Sequence, residues 1–226
     1  MKLSVLIPVY NEKNTILDVI NAVKEVKIPK EIIIVDDHST DGTREVLKGI
    51  KDKDIKVYYH DQNQGKGRAI RTAISHMTGD IAIIQDADME YDPNDYYLLV
   101  EPIMHGHYSV VYGSRYINNQ NNLPVTRHMI ATKILNWMAN IIYNARITDE
   151  PTCYKVFKAG VLKDLKLDCE RFEFCPEVTA KVRKAGYEIY EVPISYRPRS
   201  IKEGKKIRFK DGLQAMWTLV KYRFTN

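Results

Sequence analysis

Four short apolar runs, at residues 3–9, 31–36, 56–60 and 81–84, are each followed by polar turn residues and then by a stretch with helical spacing. No other feature narrows the fold as much. β-rich runs of this kind read as strands buried on both faces, and strands alternating with helices build a parallel sheet with crossover connections. Helices are expected over 16–26, where Thr15-x-x-Asp18 resembles a capping box, over 43–50, and from the 61–70 loop to about 77. Pro93 opens a fourth helix at a position proline favours, and 108–113 is a further strand. The class is therefore α/β.

After Gly113 the rhythm changes. An Asn-rich loop leads to a helix over 127–145 with a broad apolar face. A short strand over 153–157, a helix over 176–185 and a strand over 188–192 follow. The segment "RPRSIKEGKKIRFK" holds seven Lys and Arg and one Glu, and an amphipathic helix over 211–223 closes the chain. We read one domain over 1–226, in two parts, 1–113 and 114–226.

The chain has 226 residues, of which 44% are hydrophobic, enough for a sizeable core. No apolar run reaches the length of a membrane span, and "MKLSVLIPVY" reads as a strand and not a signal peptide. Cys153, Cys169 and Cys175 are odd in number and lack metal-site spacing, which points to reduced thiols in the cytoplasm. The net charge is +5 but uneven. Residues 151–226 hold 17 Lys and Arg against 9 Asp and Glu, whereas 1–150 hold 17 against 20. The basic end suits an anionic partner such as a phosphate or a lipid surface, or is simply a soluble basic face.

The chemistry gathers at "DIAIIQDADMEYDP", where an apolar strand runs into Asp86, Asp88, Glu90 and Asp92. Acids at the C-terminal end of such a strand stand where open α/β sheets bind ligands. Mg²⁺ is usually held by one or two carboxylates plus substrate phosphates. The other strands end in Asn11-Glu12 and in Asp36-Asp37, which suit a base or ribose. Lys66 and Arg68 in a Gly-flanked loop suit a diphosphate. Neither a dinucleotide fingerprint nor a P-loop is present.

"VLIPVYNE", "IIIVDDHSTDGT", "NQGKGRAI" and "DADMEYDP", in this order, resemble the GT-A nucleotide-sugar glycosyltransferases of family 2. "YGSRY", "TDEPTCYKVF", "FEFCPEV", "GYEIYEVPISYRPR" and "EGKKIRFKDG" resemble its dolichol-phosphate mannose synthase branch. The resemblance implies a GT-A, Rossmann-like, mostly parallel sheet flanked by helices, with a C-terminal acceptor-side extension. It implies a GDP- or UDP-linked sugar donor, Mg²⁺ or Mn²⁺, and a polyprenyl phosphate acceptor.

Residue by residue, it places Pro8, Tyr10 and Glu12 against the nucleotide, Asp37 or Asp36 at the base or ribose, and Lys66 near the donor. Asp86 and Asp88 form the D-x-D motif, and Glu90 stands where that branch often has Gln. Arg115, Arg127 and Arg199 match arginines that handle acceptor phosphate and diphosphate. Many membrane-bound relatives continue into transmembrane helices, whereas this chain stops at Asn226 without them.

The implied reaction inverts the anomeric carbon in one displacement, with Asp88 and Arg199 at the reacting charge. A lipid phosphate acceptor needs no general base. A glycan hydroxyl does, and Asp149 is then the candidate, the alternative being that it caps a turn. The closing helix either docks on the domain or makes a peripheral contact at the cytoplasmic face of a membrane. Gly204 suits a basic lid over 197–210. His38, His60, His105 and His107 read as surface or loop histidines. A phospho-accepting receiver domain shares the acidic strand ends, but a full βα unit precedes them here. A nucleic-acid binder is disfavoured because acids beside polyphosphate are costly without a metal.

Overall fold

A computed structural model describes residues 1–119, 121, 123, 127–199 and 209–225, the side chains of 119, 127, 128 and 209 excepted. Seven strands form one sheet: β1 (Leu3–Val9), β2 (Lys30–Asp36), β3 (Ile55–Tyr59), β4 (Ile81–Ile84), β5 (Val110–Ser114), β6 (Lys155–Lys158) and β7 (Tyr190–Pro193). Their order is β3-β2-β1-β4-β6-β5-β7. The helices are α1 (Ile16–Glu25), α2 (Thr43–Lys48), α3 (Lys66–His76), α4 (Tyr96–Met104), α5 (Arg127–Tyr143), α6 (Ala159–Asp164), α7 (Phe174–Lys184) and α8 (Phe209–Phe224). This is the α/β, mostly parallel architecture expected.

The middle of the sheet is buried because its sequence leaves no polar face. Every residue of β1 and β4 is buried, as periods of continuous Val, Ile and Leu require. The chain steps outward from β1 through β2 to β3, then returns to place β4 on the other side of β1. The loops that leave β1 and β4 therefore diverge, opening a crevice at the C-terminal strand ends. Register brings Val9 beside Asp36 and Leu6 beside Ile84, so the loops after β1, β2 and β4 share that edge.

Five local expectations change. β6 runs antiparallel to both neighbours, β4 and β5; a four-residue apolar run reads the same in either direction, so the sequence could not give its sense. Thr15 occupies the N-cap position of α1, but its side chain makes no capping hydrogen bond. Its hydroxyl instead lies within hydrogen-bonding distance of the Ala87 carbonyl at 2.7 Å and of Glu12 Oε2 at 3.0 Å, tying the first loop to the D-x-D loop. Pro93 opens a short 3-10 turn over Pro93–Asp95, and only then does α4 begin. α6 has no counterpart in the expectations, because six residues are too few for a periodic signal. Finally, α5 does not have one broad apolar face but two: Leu135, Ala139 and Tyr143 are buried, whereas Ile130, Ile134, Trp137 and Ile141 are exposed.

Candidate active site

Three loops meet at the crevice, and each holds one non-glycine residue at positive φ: Asn11 (52°), His38 (63°) and Met89 (58°). Asn tolerates this conformation, but a long side chain such as Met is disfavoured there, a kind of strain that collects at functional sites. The first two loops are stitched together. Asn11 N–H donates to Ser39 Oγ at 2.9 Å, Glu12 N–H to Thr43 Oγ1 at 3.0 Å, and Thr40 N–H to Asn11 Oδ1 at 2.8 Å. Pro8 is buried in β1, where it lies beside Val35, and Tyr10 is exposed just beyond the strand.

The Asp36–Asp37 pair is buried, and both carboxylates have protein partners. Asp36 accepts from Arg44 Nε at 2.8 Å. Asp37 accepts the backbone N–H groups of Gln64 (2.8 Å) and Gly65 (2.7 Å), and its Oδ1 lies 2.8 Å from His60 Nδ1. His60 Nε2 lies 3.0 Å from Thr72 Oγ1. His60 is therefore buried and paired: it lies in the loop just after β3, as read, but not on the surface. The aspartate fixes the loop that delivers Lys66. No spacing in the sequence pairs a lone His with an acid 23 positions away.

Lys66 begins α3 and sets its Nζ 2.5 Å from Asp86 Oδ1. Burial opposes the charged lysine, but Asp86 more than compensates and holds it protonated. Arg68 is exposed. The amides of Gly67 and Arg68 donate to the Arg171 and Glu170 carbonyls, both at 2.9 Å, so this helix start is anchored to the second half of the chain.

The remaining acids of the D-x-D loop have distinct partners. Asp88 Oδ2 accepts from Arg199 Nη2 at 2.8 Å, and the same guanidinium reaches Glu12 Oε2 from Nη1 at 3.0 Å. Glu90 accepts the Tyr196 hydroxyl at 2.9 Å and the Arg199 N–H at 2.6 Å. Asp92 instead caps the following 3-10 turn. The Asp88 carboxyl is pushed up to about 7, first by burial and then by the charges of Asp86 and Glu90, against the pull of Arg199. Among the described residues no three His, Cys, Asp or Glu side chains stand in metal-holding geometry, so Asp86, Asp88 and Glu90 do not converge. Their chemistry nevertheless fits a hard divalent ion. All are oxygen donors, and a divalent ion would further relieve the burial and mutual repulsion that disfavour the Asp88 charge.

In the second half of the chain, Arg115 leaves β5 and grips Asp149 with a two-pronged fork, Nε to Oδ2 and Nη2 to Oδ1, each at 2.7 Å. The Arg115 N–H also donates to Asp149 Oδ2 at 3.0 Å. Asp149 is fully buried, and Glu191 fixes its backbone at 3.1 Å. The Arg115 guanidinium stacks 4.9 Å from the centre of the Tyr196 ring. Tyr196 thus joins Arg115 to Glu90 and so to Arg199, a link the sequence did not signal. Arg127 occupies the first position of α5, but its side chain is outside the described residues. So is most of the expected basic lid, residues 200–208.

The family profile "Glycosyl transferase family 2" matches residues 4–166. The chain belongs to glycosyl transferase family 2. It is 28% identical over 225 residues to a UDP-N-acetylglucosamine--dolichyl-phosphate N-acetylglucosaminyltransferase of Methanococcus voltae, covering 89% of each chain. It is also 28% identical to the glycosyltransferase AglJ of Haloferax volcanii, covering 86% of this chain but only 63% of that one. Among solved structures, glucosyl-3-phosphoglycerate synthase from Mycobacterium tuberculosis, in complex with Mn²⁺, UDP and phosphoglyceric acid, superposes with a TM-score of 0.73. That match is at 19% identity and covers 100% of this chain and 79% of that one. The GT-A fold is thereby shared. The family 2 glycosyltransferase described here accordingly carries its three acidic loops on the edge the fold reserves for a ligand.

Proposed function

We propose that this family 2 glycosyltransferase moves a sugar from a nucleoside diphosphate to a polyprenyl phosphate with inversion, using Mg²⁺ or Mn²⁺. The carrying observation is the Arg115–Asp149 fork. It holds in a buried ion pair the one carboxylate assigned as base for a hydroxyl acceptor. A phosphate monoester is already an anion and needs no such base. The name of the Methanococcus voltae relative supports a dolichyl-type acceptor and favours UDP-N-acetylglucosamine over a mannose donor.

The D-x-D residues Asp86 and Asp88, with Glu90 behind them, would hold the divalent ion. When bound, it supplies positive charge to the departing nucleoside diphosphate. Tyr10 and Glu12, just beyond the buried Pro8, would line the nucleotide side, and the buried Asp36 and Asp37, which hold Arg44 and the Gln64 and Gly65 amides, would shape its base and ribose end. Lys66, held charged beside Asp86, faces the diphosphate. Arg199, paired with Glu12 and Asp88, and Arg115, paired with Asp149 and joined to Arg199 through Tyr196, put guanidinium charge beside the crevice, and a phosphate would have to compete with those carboxylates for their planar forks. Arg127, at the start of α5, would add an acceptor-side cation. In the displacement an acceptor phosphate oxygen bonds to the anomeric carbon as the bond to the diphosphate oxygen breaks. The electron pair leaves with the nucleoside diphosphate, and no proton moves.

The test is a panel assay with UDP-N-acetylglucosamine, UDP-glucose and GDP-mannose, with Mn²⁺ and a short-chain polyprenyl phosphate. Organic-extractable sugar phosphate from one of these donors is expected, and excess chelator should abolish it. Transfer to glycan hydroxyls that Asp149→Asn eliminates, with no lipid product from any donor, would replace this reading with the hydroxyl-acceptor one.

A further inference from the structure

Helix α5 carries an exposed apolar stripe. Ile130, Ile134, Trp137 and Ile141 recur at helical spacing and fall within an arc of about 60° at 3.6 residues per turn. All four are exposed, Trp137 and Ile141 each at 63%. On the opposite face Leu135, Ala139 and Tyr143 pack into the core, so the stripe has no role in holding the domain together. Helix α8 repeats the pattern. Leu213, Trp217 and Phe224 share an arc of about 40°, with Trp217 65% and Phe224 84% exposed, while Ala215, Leu219 and Tyr222 are buried. The helices are neighbours: the Tyr143 hydroxyl of α5 donates to the Leu219 carbonyl of α8 at 2.5 Å. The chain has two tryptophans, and both lie in these stripes.

Large apolar side chains exposed in rows, and not singly, mark a surface that meets something. Charge selects the partner. The two helices contain Arg127, Lys133, Lys210, Lys221 and Arg223 against a single acid, Asp211. Lys133, Lys210 and Lys221 are exposed. A second copy meeting through the same face would set these cations against their own equivalents, which is repulsive. An anionic lipid surface matches them, with Trp at the depth where its ring is favoured and each nearby Lys or Arg adding to the attraction.

We infer that α5 and α8 together form a docking face for an anionic membrane surface, and that α5 is as much a part of it as the closing helix. The inference deepens the polyprenyl phosphate reading, because an acceptor embedded in a bilayer must be reached from its surface. Arg127, assigned to acceptor phosphate, opens the same helix that carries the α5 stripe.

The experiment uses the whole chain and vesicles without polyprenyl phosphate, so that docking is read apart from catalysis. Vesicles of phosphatidylcholine, alone or mixed with phosphatidylglycerol, are floated at low and high salt, and tryptophan emission is followed on titration. Both tryptophans report on this face. Flotation with the anionic vesicles, a blue shift of emission, and weakening by salt are expected. Trp137→Glu and Trp217→Glu should each reduce vesicle partitioning about tenfold, with unchanged thermal midpoints because both side chains lie outside the core. With polyprenyl phosphate in the vesicles the same variants should lose transfer, yet keep it toward a short, water-soluble polyprenyl phosphate.

Absence of flotation and of any blue shift overturns the docking face, even if transfer to the soluble acceptor proceeds. So does a concentration-dependent dimer, seen by sedimentation, whose tryptophans shift without lipid. Flotation of Trp137→Glu equal to wild type removes α5 from the face. Failure of every lipid phosphate as substrate, with flotation intact, strikes the transfer reading alone.

Discussion

At the scale of single residues, the acid cluster is a balance of charges in a partly closed crevice. Burial and the charges of Asp86 and Glu90 disfavour the charge on Asp88, whereas Arg199 and the Glu90 N–H favour it. Replacing Asp88 by Asn removes that repulsion without changing shape. The Asp88→Asn variant is therefore expected to keep or raise its thermal midpoint while metal-dependent transfer falls by at least about three orders of magnitude. Calorimetry and steady-state kinetics on one preparation check both halves, and a lowered midpoint with activity retained would contradict them. Arg199 bridges Glu12 and Asp88 across two loops, so its loss is felt at the reacting charge. Arg199→Ala should lower kcat by about a hundredfold with a smaller change in the donor KM.

At the scale of elements, the loop before α3 does the positioning. Gly65 sits at φ 93° with its amide on Asp37, and Gly67 passes close to another strand of backbone. A Cβ on Gly67 would stand 2.9 Å from the Arg171 carbonyl oxygen and 3.0 Å from the Cys169 carbonyl carbon, neither of which yields without moving the chain. Gly67→Ala is expected to destabilise the fold by about 2 kcal/mol and to weaken nucleotide-sugar binding, because Lys66 moves with the helix start. Gly160→Ala, where a Cβ meets nothing within 4 Å, is the control and should be neutral or slightly stabilising. Urea titrations and calorimetric affinities distinguish the two. This loop also shows what the sequence could and could not disclose. The glycines and Lys66 announce a ligand loop by composition. The Asp37–His60–Thr72 chain that holds the loop does not, because three residues apart in sequence meet only once β2, β3 and α3 are assembled. The same holds for β6, whose direction depends on where α5 returns the chain. It holds again for α5, whose two apolar faces merge into one broad band until the core claims half of it.

At the scale of the molecule, the proposed site and a main anchor of the fold occupy opposite ends of the sheet. The C-terminal edge collects repelling acids, whereas the N-terminal edge is secured by one carboxylate, Glu31 of β2. Its side chain accepts the Thr78 N–H at 2.6 Å, the Ser4 hydroxyl at 2.7 Å and the Thr78 hydroxyl at 2.8 Å, joining β1, β2 and the turn before β4. Lys2 adds an ion pair at 3.0 Å. Burial pushes the Glu31 carboxyl up, but these donors together outweigh it and hold the group down at about 2. The unfolded chain binds the proton more readily, so the stabilisation is fully present above about pH 4.5 and is lost as pH falls toward 2. Part of the group's field reaches solvent, so its contribution at neutral pH is about 2 kcal/mol and not the full converted shift. Glu31→Gln should therefore be less stable than wild type by about that amount at pH 7, and the gap should close progressively between about pH 4.5 and pH 2. Urea unfolding at a series of pH values reads the difference directly, with all other carboxylates common to both proteins. Activity per folded molecule should be unchanged, since the acidic crevice lies at the far edge of the sheet. A gap that stayed constant across that pH range would show that Glu31 stabilises by shape and hydrogen bonding alone, and not through its charge.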